Sequence, residues 1–250
     1  MNSAVVYKSR ELLEKVERLL KQMGHEVESF QKPSVSLENF DFIVSIGGDG
    51  TILSILQEVR KCPPIFGINS GKIGYLTHSN SSDFEEKLRN AVEKFEVEKF
   101  DRIRCSCEGF ECLALNEVAF LGRERGRLTE ISIKIDSEEV DRIRCDGIIA
   151  ATQIGSTAYS FSAGGPVVEP YLPSMIIVPI APFRFGWKPV VVRMDRKVEF
   201  EAKNPGIVIA DGKKSFEARS VTITRSEYPA LFFKREDRIK RLFYIMKQIE

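Results

Sequence analysis

The stretch Asp41-Phe-Ile-Val-Ser-Ile-Gly-Gly-Asp-Gly-Thr51 decides how the first part of the chain folds. Residues 42–46 form a short apolar run rich in β-branched side chains, which predicts a strand buried on both faces of a parallel sheet. From Thr51 onward, apolar residues recur at helical spacing, so we expect a helix to begin near that residue. A strand, a glycine-rich turn and a helix in this order predict an α/β unit.

The turn between this strand and this helix holds three glycines around one carboxylate, Asp49. Glycine permits positive φ and the close approach of an anion to backbone N–H groups, and a helix N-terminus adds donors. The turn therefore suits a phosphate. Asp49 would repel a phosphate unless a metal lies between them or the carboxylate orients an attacking hydroxyl. A plain strand-to-helix turn with Asp49 as an Asx-turn residue is the alternative, and neither GxGxxG nor the P-loop pattern matches.

The bulk composition predicts an ordinary globular protein of one or two domains. The 250 residues are 43% hydrophobic and 29% charged, with a formal net charge of +1. That balance gives no electrostatic case for nucleic acid or an anionic membrane as a partner. No apolar run is long enough to span a membrane, and the first residues become charged too soon for a signal peptide. We therefore expect a cytoplasmic protein.

Five cysteines fit a reducing compartment, and three of them cluster at Cys105, Cys107 and Cys112. A zinc site would need CxxC-type spacing and a fourth ligand, and both histidines are distant in sequence. Because side chains alternate along a strand, Cys105 and Cys107 are instead expected on one face of a strand. We predict no metal site made by the protein alone.

The first part of the chain alternates strands with helices. A strand at 4–7 precedes an apolar stripe over 12–23, a helix that Gly24 closes. A second strand at 65–68 leads into another glycine-rich turn, 69–76, again at the carboxyl end of a strand. Open α/β sheets bind ligands at that edge.

A further helix follows Ser82-Asp83, which can cap it. This alternation of strands and helices predicts a three-layer α/β domain over residues 1–97.

From residue 98 the pattern changes to strands with alternating polarity. Ile131, Ile133 and Ile135 alternate with polar residues, as in a strand with one buried face. Turn signals follow at short intervals. They are Glu108-Gly109, Ser137-Glu138, Asn204-Pro205-Gly206 and Asp211-Gly212. The pattern predicts a sandwich-like, antiparallel β-rich domain over residues 98–231.

The last residues carry an apolar stripe at helical spacing. We expect this helix to dock on the first domain, which would then comprise 1–97 and about 232–250, or on a partner. The residues of the stripe are Ile239, Leu242, Phe243, Met246 and Ile249.

Three polar stretches stand out in the β-rich part. Asn116-Glu117 interrupts an apolar strand, and burying these polar side chains is costly unless they have hydrogen-bond partners. The pair is either an exposed strand end or points into a cleft. In a cleft, the amide could both donate to and accept from a nucleobase or ribose. Asp146-Gly147 precedes an apolar run and is either a strand-initiating turn or part of a site. Residues 155–166 are mostly small or hydroxyl-bearing, so a ligand could lie against their backbone; the alternative is an irregular loop.

Taken in order, these motifs resemble those of the NAD kinase family. The GGDGT turn alone also resembles the turns of diacylglycerol-kinase-like lipid kinases and of phosphofructokinases, whereas the glycine-serine-threonine-alanine-tyrosine block is much more specific. The resemblance covers nearly the whole chain. Its motifs are Gly47-Gly48-Asp49-Gly50-Thr51, Asn116-Glu117, Asp146-Gly147, Gly155-Ser156-Thr157-Ala158-Tyr159 and Ser162-Ala163-Gly164-Gly165-Pro166.

The resemblance implies phosphorylation of the 2′-hydroxyl of the adenosine ribose of NAD by ATP or polyphosphate, with NADP as the product. It implies an active site between the two domains, a homodimer or homotetramer, and a divalent cation, Mg²⁺, that arrives with the phosphoryl donor. Asp49 would orient or deprotonate the attacking hydroxyl. The residues implied in nucleotide or phosphate contacts are Gly48, Gly50, Thr51, Tyr75, Asn116, Glu117, Asp146, Thr157, Ala158, Tyr159 and Ser162.

Two positions depart from the family's pattern. Members usually read Thr-Pro-Thr or Thr-Pro-Ser where this chain has Thr152-Gln153-Ile154, so Ile154 replaces a hydroxyl expected near the adenine. Lys188-Pro189 stands where the family often has Arg-Pro, which keeps the charge but loses the bidentate fork.

Two other functions remain open at the level of sequence. A lipid-type kinase sharing the GGDGT turn would be expected to carry an exposed apolar pocket or a membrane-facing patch. A non-catalytic NAD(P)-binding sensor would have no need of Asp49.

Overall fold

The computed structural model describes residues 1–71, 74–124, 126–184 and 186–247. The chain divides into two compact units, one of Met1–Lys99 with Tyr228–Glu250 and the other of Phe100–Glu227. Lys72 and Ile73 of the second glycine-rich turn, and Ile249 of the C-terminal stripe, lie outside the described residues. None of the helices in the described ranges is both long and apolar enough to cross a membrane.

The first unit is a sheet that runs in the order β2-β1-β3-β4-β17-β6, with β5 beside β4. The pairs that join β1 to β2 and β3, and β4 to β3, β5 and β17, are parallel. Its strands are β1 (Asn2–Tyr7), β2 (Glu26–Phe30), β3 (Phe42–Ile46), β4 (Ile65–Asn69), β5 (Ser79–Asn80), β6 (Val97–Phe100) and β17 (Ala230–Phe233). Its helices are α1 (Leu13–Gln22), α2 (Asp49–Glu58), α3 (Phe84–Lys94) and α5 (Arg238–Met246), with a 3₁₀ helix at Val35–Asn39.

Strand β3 has the bounds that the sequence predicts, and all five of its residues are buried. It lies between β1 and β4 in the parallel sheet, which explains why its sequence is a continuous apolar run. Helix α2 begins at Asp49, two residues before Thr51, so the glycine-rich turn reduces to Gly47 and Gly48. The turn and the first residues of α2 therefore lie directly at the carboxyl end of β3.

The second unit is an antiparallel sheet in the order β14-β13-β12-β9-β15-β16-β7-β8, to which β10 and β11 attach at β15. The α/β and β-rich fold class predicted from the sequence is thus confirmed. Its strands are β7 (Ile103–Cys107), β8 (Phe110–Ala114), β9 (Glu117–Leu121), β10 (Thr129–Ile135), β11 (Glu138–Cys145), β12 (Gly147–Thr152), β13 (Ser174–Ile180), β14 (Val190–Arg193), β15 (Val198–Ala210) and β16 (Lys214–Arg225). A 3₁₀ helix at Ile154–Thr157 and the single-turn helix α4 (Tyr159–Ser162) follow β12.

Three of the four predicted turns are hairpin turns with positive φ, at Glu108-Gly109, Ser137 and Asp211-Gly212. The fourth prediction, a turn at 204–206, is wrong. Strand β15 continues through this segment, and its register against β16 shifts between Glu201 and Gly206. A bulge accommodates a proline, which lacks a ladder N–H, without ending the strand.

The predicted stripe of the C-terminal helix is only partly correct. Leu242 is buried, but Ile239 and Phe243 are 47% and 57% exposed. The buried face of α5 is instead formed by Arg238, Leu242 and Ile245, which recur at helical spacing. The predicted stripe omits Ile245, and no apolar pattern would include a buried arginine such as Arg238.

Candidate active site

The predicted site residues of the first unit lie where the two glycine-rich turns meet. The Asp49 carboxylate accepts hydrogen bonds from the backbone N–H of Tyr75, 2.7 Å from Oδ2, and of Leu76, 3.0 Å from Oδ1. Gly48, Gly50 and Thr51 accompany Asp49 at the N-terminus of α2. Because the two carboxylate oxygens offer about four acceptor positions, the backbone N–H groups around Asp49 leave capacity for a hydroxyl donor.

The surroundings of Asp49 shift the pKa of its carboxyl group in two opposite directions. Burial raises the pKa of this carboxyl group above its ordinary value. The backbone N–H groups of Tyr75, Leu76 and Thr77 and the positive charge of Arg238 act against that rise, since they stabilise the ionised form. Asp49 is therefore a stronger base than a solvated aspartate, yet it is held in a fixed orientation.

A glycine at position 74 allows the second turn to approach Asp49. A Cβ atom on Gly74 would lie 3.0 Å from Asp49 Oδ1 and would collide with the Thr77 hydroxyl. The tyrosine that follows is buried, and its ring centroid lies 5.7 Å from the Arg238 guanidinium carbon. Tyr75 thus meets Asp49 through its backbone, while its side chain packs beneath an arginine of α5.

In the second unit, Asp211 organises the Asn116–Glu117 pair. Its carboxylate accepts the backbone N–H groups of Leu115 at 2.8 Å, Asn116 at 2.7 Å and Glu117 at 3.1 Å. From the sequence, Asp211 is predicted only as part of a turn. No local pattern could have revealed the contact, because the acceptor and its donors are more than ninety residues apart and meet only when β15 pairs with β9.

Glu117 is a buried acid. It is 7% exposed, which rules out the exposed strand end considered as an alternative, and its Oε2 has no hydrogen-bond partner among the described residues. Burial, followed by the negative charge of Asp211, raises the pKa of Glu117 to about 8, while the Tyr159 N–H acts in the opposite direction. At pH 7 Glu117 is therefore mostly protonated and can donate a hydrogen bond.

After β12 the chain forms the 3₁₀ helix Ile154–Thr157 and the single-turn helix α4, so the alternative of an irregular loop does not hold for this part of residues 155–166. Thr152 Oγ1 donates to the Leu115 carbonyl at 2.6 Å and accepts the N–H groups of Ile154 and Gly155, each at 3.1 Å. Gly155 lies so close to Asn116 that a Cβ would overlap the Asn116 carbonyl oxygen. These contacts fix the 3₁₀ helix against Asn116, and the backbone N–H of Tyr159 reaches Glu117. Thr157, Ala158 and Ser162 lie in or beside the same two short helices.

Asp146 is not part of this cluster. It precedes β12, whereas Glu117 pairs with Ala151 near the other end of that strand. The intervening residues span roughly 17 Å at about 3.3 Å per residue. The backbone of Asp146 bonds instead to Ile180 and Gly122, at 3.0 and 2.9 Å.

The two positions that depart from the family pattern differ in exposure. Ile154 is 1% exposed and belongs to the protein interior. Lys188 is exposed, beside Trp187, whose Nε1 donates to Asp141 at 2.7 Å.

The described residues hold no group of three or more His, Cys, Asp or Glu side chains arranged to bind a metal ion. Cys105, Cys107 and Cys112 are free thiols buried in the second unit, with Cys105 directly opposite Cys112 across β7 and β8. In each unit, the polar groups described around Asp49 and around Glu117 are carboxylates and backbone N–H donors.

Two family models match the chain. The ATP-NAD kinase N-terminal domain matches residues 7–96, and the ATP-NAD kinase C-terminal domain matches residues 115–234. An NAD kinase of Archaeoglobus fulgidus is 56% identical over the full length of both chains. An NAD kinase of Methanopyrus kandleri is 38% identical over 86% of this chain and 75% of its own.

Solved structures agree with these matches. The crystal structure of the Archaeoglobus fulgidus NAD kinase, in complex with ATP, superimposes with a TM-score of 0.96 over 100% of both chains at 56% identity. A yeast NADH kinase complexed with NADH shares the fold, with a TM-score of 0.83 over 99% of this chain and 87% of its own at 19% identity. Both family models, the full-length relative and the shared fold lead to one conclusion: the chain belongs to the ATP-NAD kinase family.

Proposed function

We propose that this protein transfers the terminal phosphoryl group of ATP to the 2′-hydroxyl of the adenosine ribose of NAD, with NADP as the product. Family membership supports this activity. The observation that carries the proposal is the Asp49 carboxylate at the N-terminus of α2, fixed by two backbone N–H groups and still able to accept a hydroxyl proton.

Asp49 orients the attacking hydroxyl in this proposal. A solvated aspartate, with a pKa near 3.9, is a weak base. Burial raises the pKa of Asp49, so this carboxylate accepts a proton from the hydroxyl more readily than a solvated aspartate does. Because phosphoryl transfer passes through a loose transition state, the hydroxyl proton can leave late, and alignment matters more than early deprotonation.

The phosphates of the donor bind beside Asp49, at Gly48, Gly50 and Thr51. The N-terminus of α2 offers backbone N–H groups and the positive end of the helix dipole. The carboxylate of Asp49 faces Tyr75 and Leu76, whose N–H groups partly offset its charge. Mg²⁺ carried by the donor phosphates would be held mainly by those phosphates, and the chemistry it would supply is neutralisation of their charge.

NAD contacts come from the second unit. Asn116, Thr157, Ala158, Tyr159 and Ser162 supply amide, hydroxyl and backbone groups that suit ribose and base edges. Glu117 donates to the dinucleotide while it is protonated. Asp146 contacts the dinucleotide separately from this cluster. In this proposal the active protein is a cytoplasmic homodimer or homotetramer.

The test is an assay of the purified protein with NAD, ATP and Mg²⁺, in which an NADP-specific dehydrogenase detects the product. Asp49→Asn should lower kcat at least about 100-fold and leave the Kd for NAD within a few fold, as expected for loss of a group that acts on the reacting hydroxyl. Asp136→Asn is the matched control, because it removes an exposed hairpin carboxylate and should leave kcat unchanged.

Each result separates the candidate functions. NADP from the wild type and from Asp136→Asn but not from Asp49→Asn supports the proposal and the role of Asp49. Equal losses of binding and rate in Asp49→Asn would contradict that role. If ATP gives no NADP, polyphosphate replaces it as the donor. Measurable NAD binding with no product from either donor would favour the non-catalytic sensor.

A further inference from the structure

Two arginines of α5 contact the turn that holds Asp49. The Arg241 guanidinium donates two hydrogen bonds to the Gly74 carbonyl, 3.0 Å from Nε and 2.8 Å from Nη2. Arg238 Nη1 donates to the Tyr75 carbonyl at 3.0 Å. The C-terminal helix thus holds the two carbonyl oxygens that immediately precede the N–H groups donated to Asp49.

Each of these contacts shares a peptide group with a contact to Asp49. The Gly74 carbonyl and the Tyr75 N–H belong to one peptide, and the Tyr75 carbonyl and the Leu76 N–H belong to the next. Two consecutive peptides therefore have an arginine on the carbonyl side and the Asp49 carboxylate on the N–H side.

Such a connection has two physical effects. A peptide is planar, so a guanidinium that fixes the carbonyl also fixes the direction of the N–H on the opposite side. Hydrogen bonds in a chain also polarise one another, so a cation on the carbonyl makes the N–H a stronger donor. Both effects hold the Asp49 carboxylate in one orientation and favour its ionised form.

Burying the charged side chain of Arg238 costs desolvation free energy. It is 1% exposed, and Nη2 forms an ion pair with Glu98, which is also buried. Its guanidinium lies 5.8 Å from the centre of the Phe232 ring. Well-packed apolar side chains often replace a buried ion pair with no loss of stability, and Leu242 and Ile245 already dock the helix. Docking alone therefore does not explain the arginine.

We infer that Arg238 and Arg241 are positioning residues for Asp49, and that they act through the peptides Gly74–Tyr75 and Tyr75–Leu76. The inference rests on the proposed role of Asp49 and extends it, because it makes the C-terminal helix a part of the catalytic arrangement. Neither arginine needs to touch a substrate for this role.

Arg241 is the better position for a test, since it is only partly buried and its loss leaves the Arg238–Glu98 pair intact. Arg241→Gln removes the charge, and Arg241→Lys keeps it without the fork. Arg235→Gln is the matched control. Arg235 also donates to a carbonyl of this turn, that of Thr77, but the N–H of that peptide donates to the Gly67 carbonyl at 2.7 Å.

We expect Arg241→Gln to lower kcat about 10-fold and to leave KM for NAD within about twofold, because misalignment of a reacting group lowers turnover. The acidic limb of its kcat–pH profile should move to higher pH, because the Arg241 guanidinium no longer polarises the peptide whose N–H stabilises ionised Asp49. Arg241→Lys should recover part of both changes. Arg235→Gln should leave the acidic limb where it is in the wild type.

A second measurement needs no turnover. In the substrate-free, ¹³C-labelled protein, the Asp49 carboxyl resonance, assigned by its loss in Asp49→Asn, should titrate at higher pH in Arg241→Gln than in the wild type. An unchanged titration would overturn the inference, as would an equal shift in Arg235→Gln. If the wild type makes no NADP, the proposed function fails, whereas this titration still decides whether Arg241 acts on Asp49.

Discussion

The carboxylate of Asp211, just after β15, lies beside Glu117 at the start of β9 and accepts the Glu117 N–H at 3.1 Å. Asp211 is a carboxylate that gathers three backbone N–H groups. Glu117 lacks such donors at Oε2, and burial together with the charge of Asp211 raises its pKa to about 8. Of these two neighbouring acids, Asp211 accepts backbone donors, whereas Glu117 is mostly protonated at pH 7.

Glu117→Gln should change how stability depends on pH. A carboxyl group with a raised folded-state pKa binds more protons when folded, so its contribution to stability is present below the unfolded pKa and is lost as pH rises from about 4.5 to 8. The wild type should therefore lose up to about 1.4 kcal/mol per pH unit relative to Glu117→Gln over this range. Urea unfolding of both proteins at pH 5, 6.5 and 8 measures the difference. Parallel curves would show that Glu117 is ionised in the folded protein.

Asp211→Asn should destabilise the second unit by about 2–3 kcal/mol, because an amide cannot accept all three N–H groups and places its own donors among them. The same change removes the negative charge beside Glu117 and should lower the pKa of Glu117. Urea denaturation measures the first effect, and a ¹³C titration of the Glu117 carboxyl measures the second. Asp136→Asn, on an exposed hairpin, should change stability little.

His78 should make the first unit sensitive to acid. Its Nδ1 accepts the Gly67 N–H at 3.0 Å and its Nε2 donates to the Phe233 carbonyl at 2.8 Å, so the ring is neutral. Burial lowers the pKa of His78 to about 3. The unfolded chain binds the proton first, so stability falls by about 1.4 kcal/mol per pH unit as pH drops from 6.5 toward 3.

His78→Asn keeps an acceptor for Gly67 but cannot titrate. It should be less stable than the wild type at pH 7, by about 1–3 kcal/mol, with a shallower loss between pH 6.5 and 5. Denaturant unfolding at these pH values gives both quantities. His25→Asn is the comparison, because His25 is only partly buried and should alter the slope less. An unchanged slope in His78→Asn would mean that His78 is not held neutral.

Gly155→Ala should separate the helical segment after β12 from Asn116. The added methyl would overlap the Asn116 carbonyl oxygen, which is backbone and cannot move aside as a side chain can. We expect a loss of about 1–3 kcal/mol in stability and weaker NAD binding. Unfolding and NAD titration measure the two effects. Gly109→Asn, at a hairpin glycine with open space and φ of +87°, should leave NAD binding unchanged.

A structural feature can be predicted from the sequence when the residues that form it are close together along the chain. Both ends of strand β3 are predicted correctly, because its five consecutive residues form a mostly apolar run of the kind that is buried in parallel sheets. The two glycine-rich turns could also be placed at one edge, since each follows a parallel strand and β3 lies beside β4. The fold class follows from the same periodicities.

Contacts that depend on tertiary pairing leave no local signal. Asp211 reads as a hairpin residue in sequence, and its carboxylate serves the site only because β15 lies beside β9. Arg238 reads as part of a polar face, yet it is buried. Buried polar groups of this kind break the apolar pattern from which faces are predicted, so their position cannot be deduced from that pattern.

The first unit is built from both ends of the chain, and this bears on the order of events during synthesis. Strand β17 lies between β4 and β6, yet it follows the whole second unit in sequence. A nascent chain that has reached residue 227 therefore has the complete second unit but a first sheet with a missing inner strand. Arg238 and Arg241 are synthesised later still, so the hydrogen bonds that position Asp49 form last. A chain truncated before α5 would contain Asp49 without these two arginines.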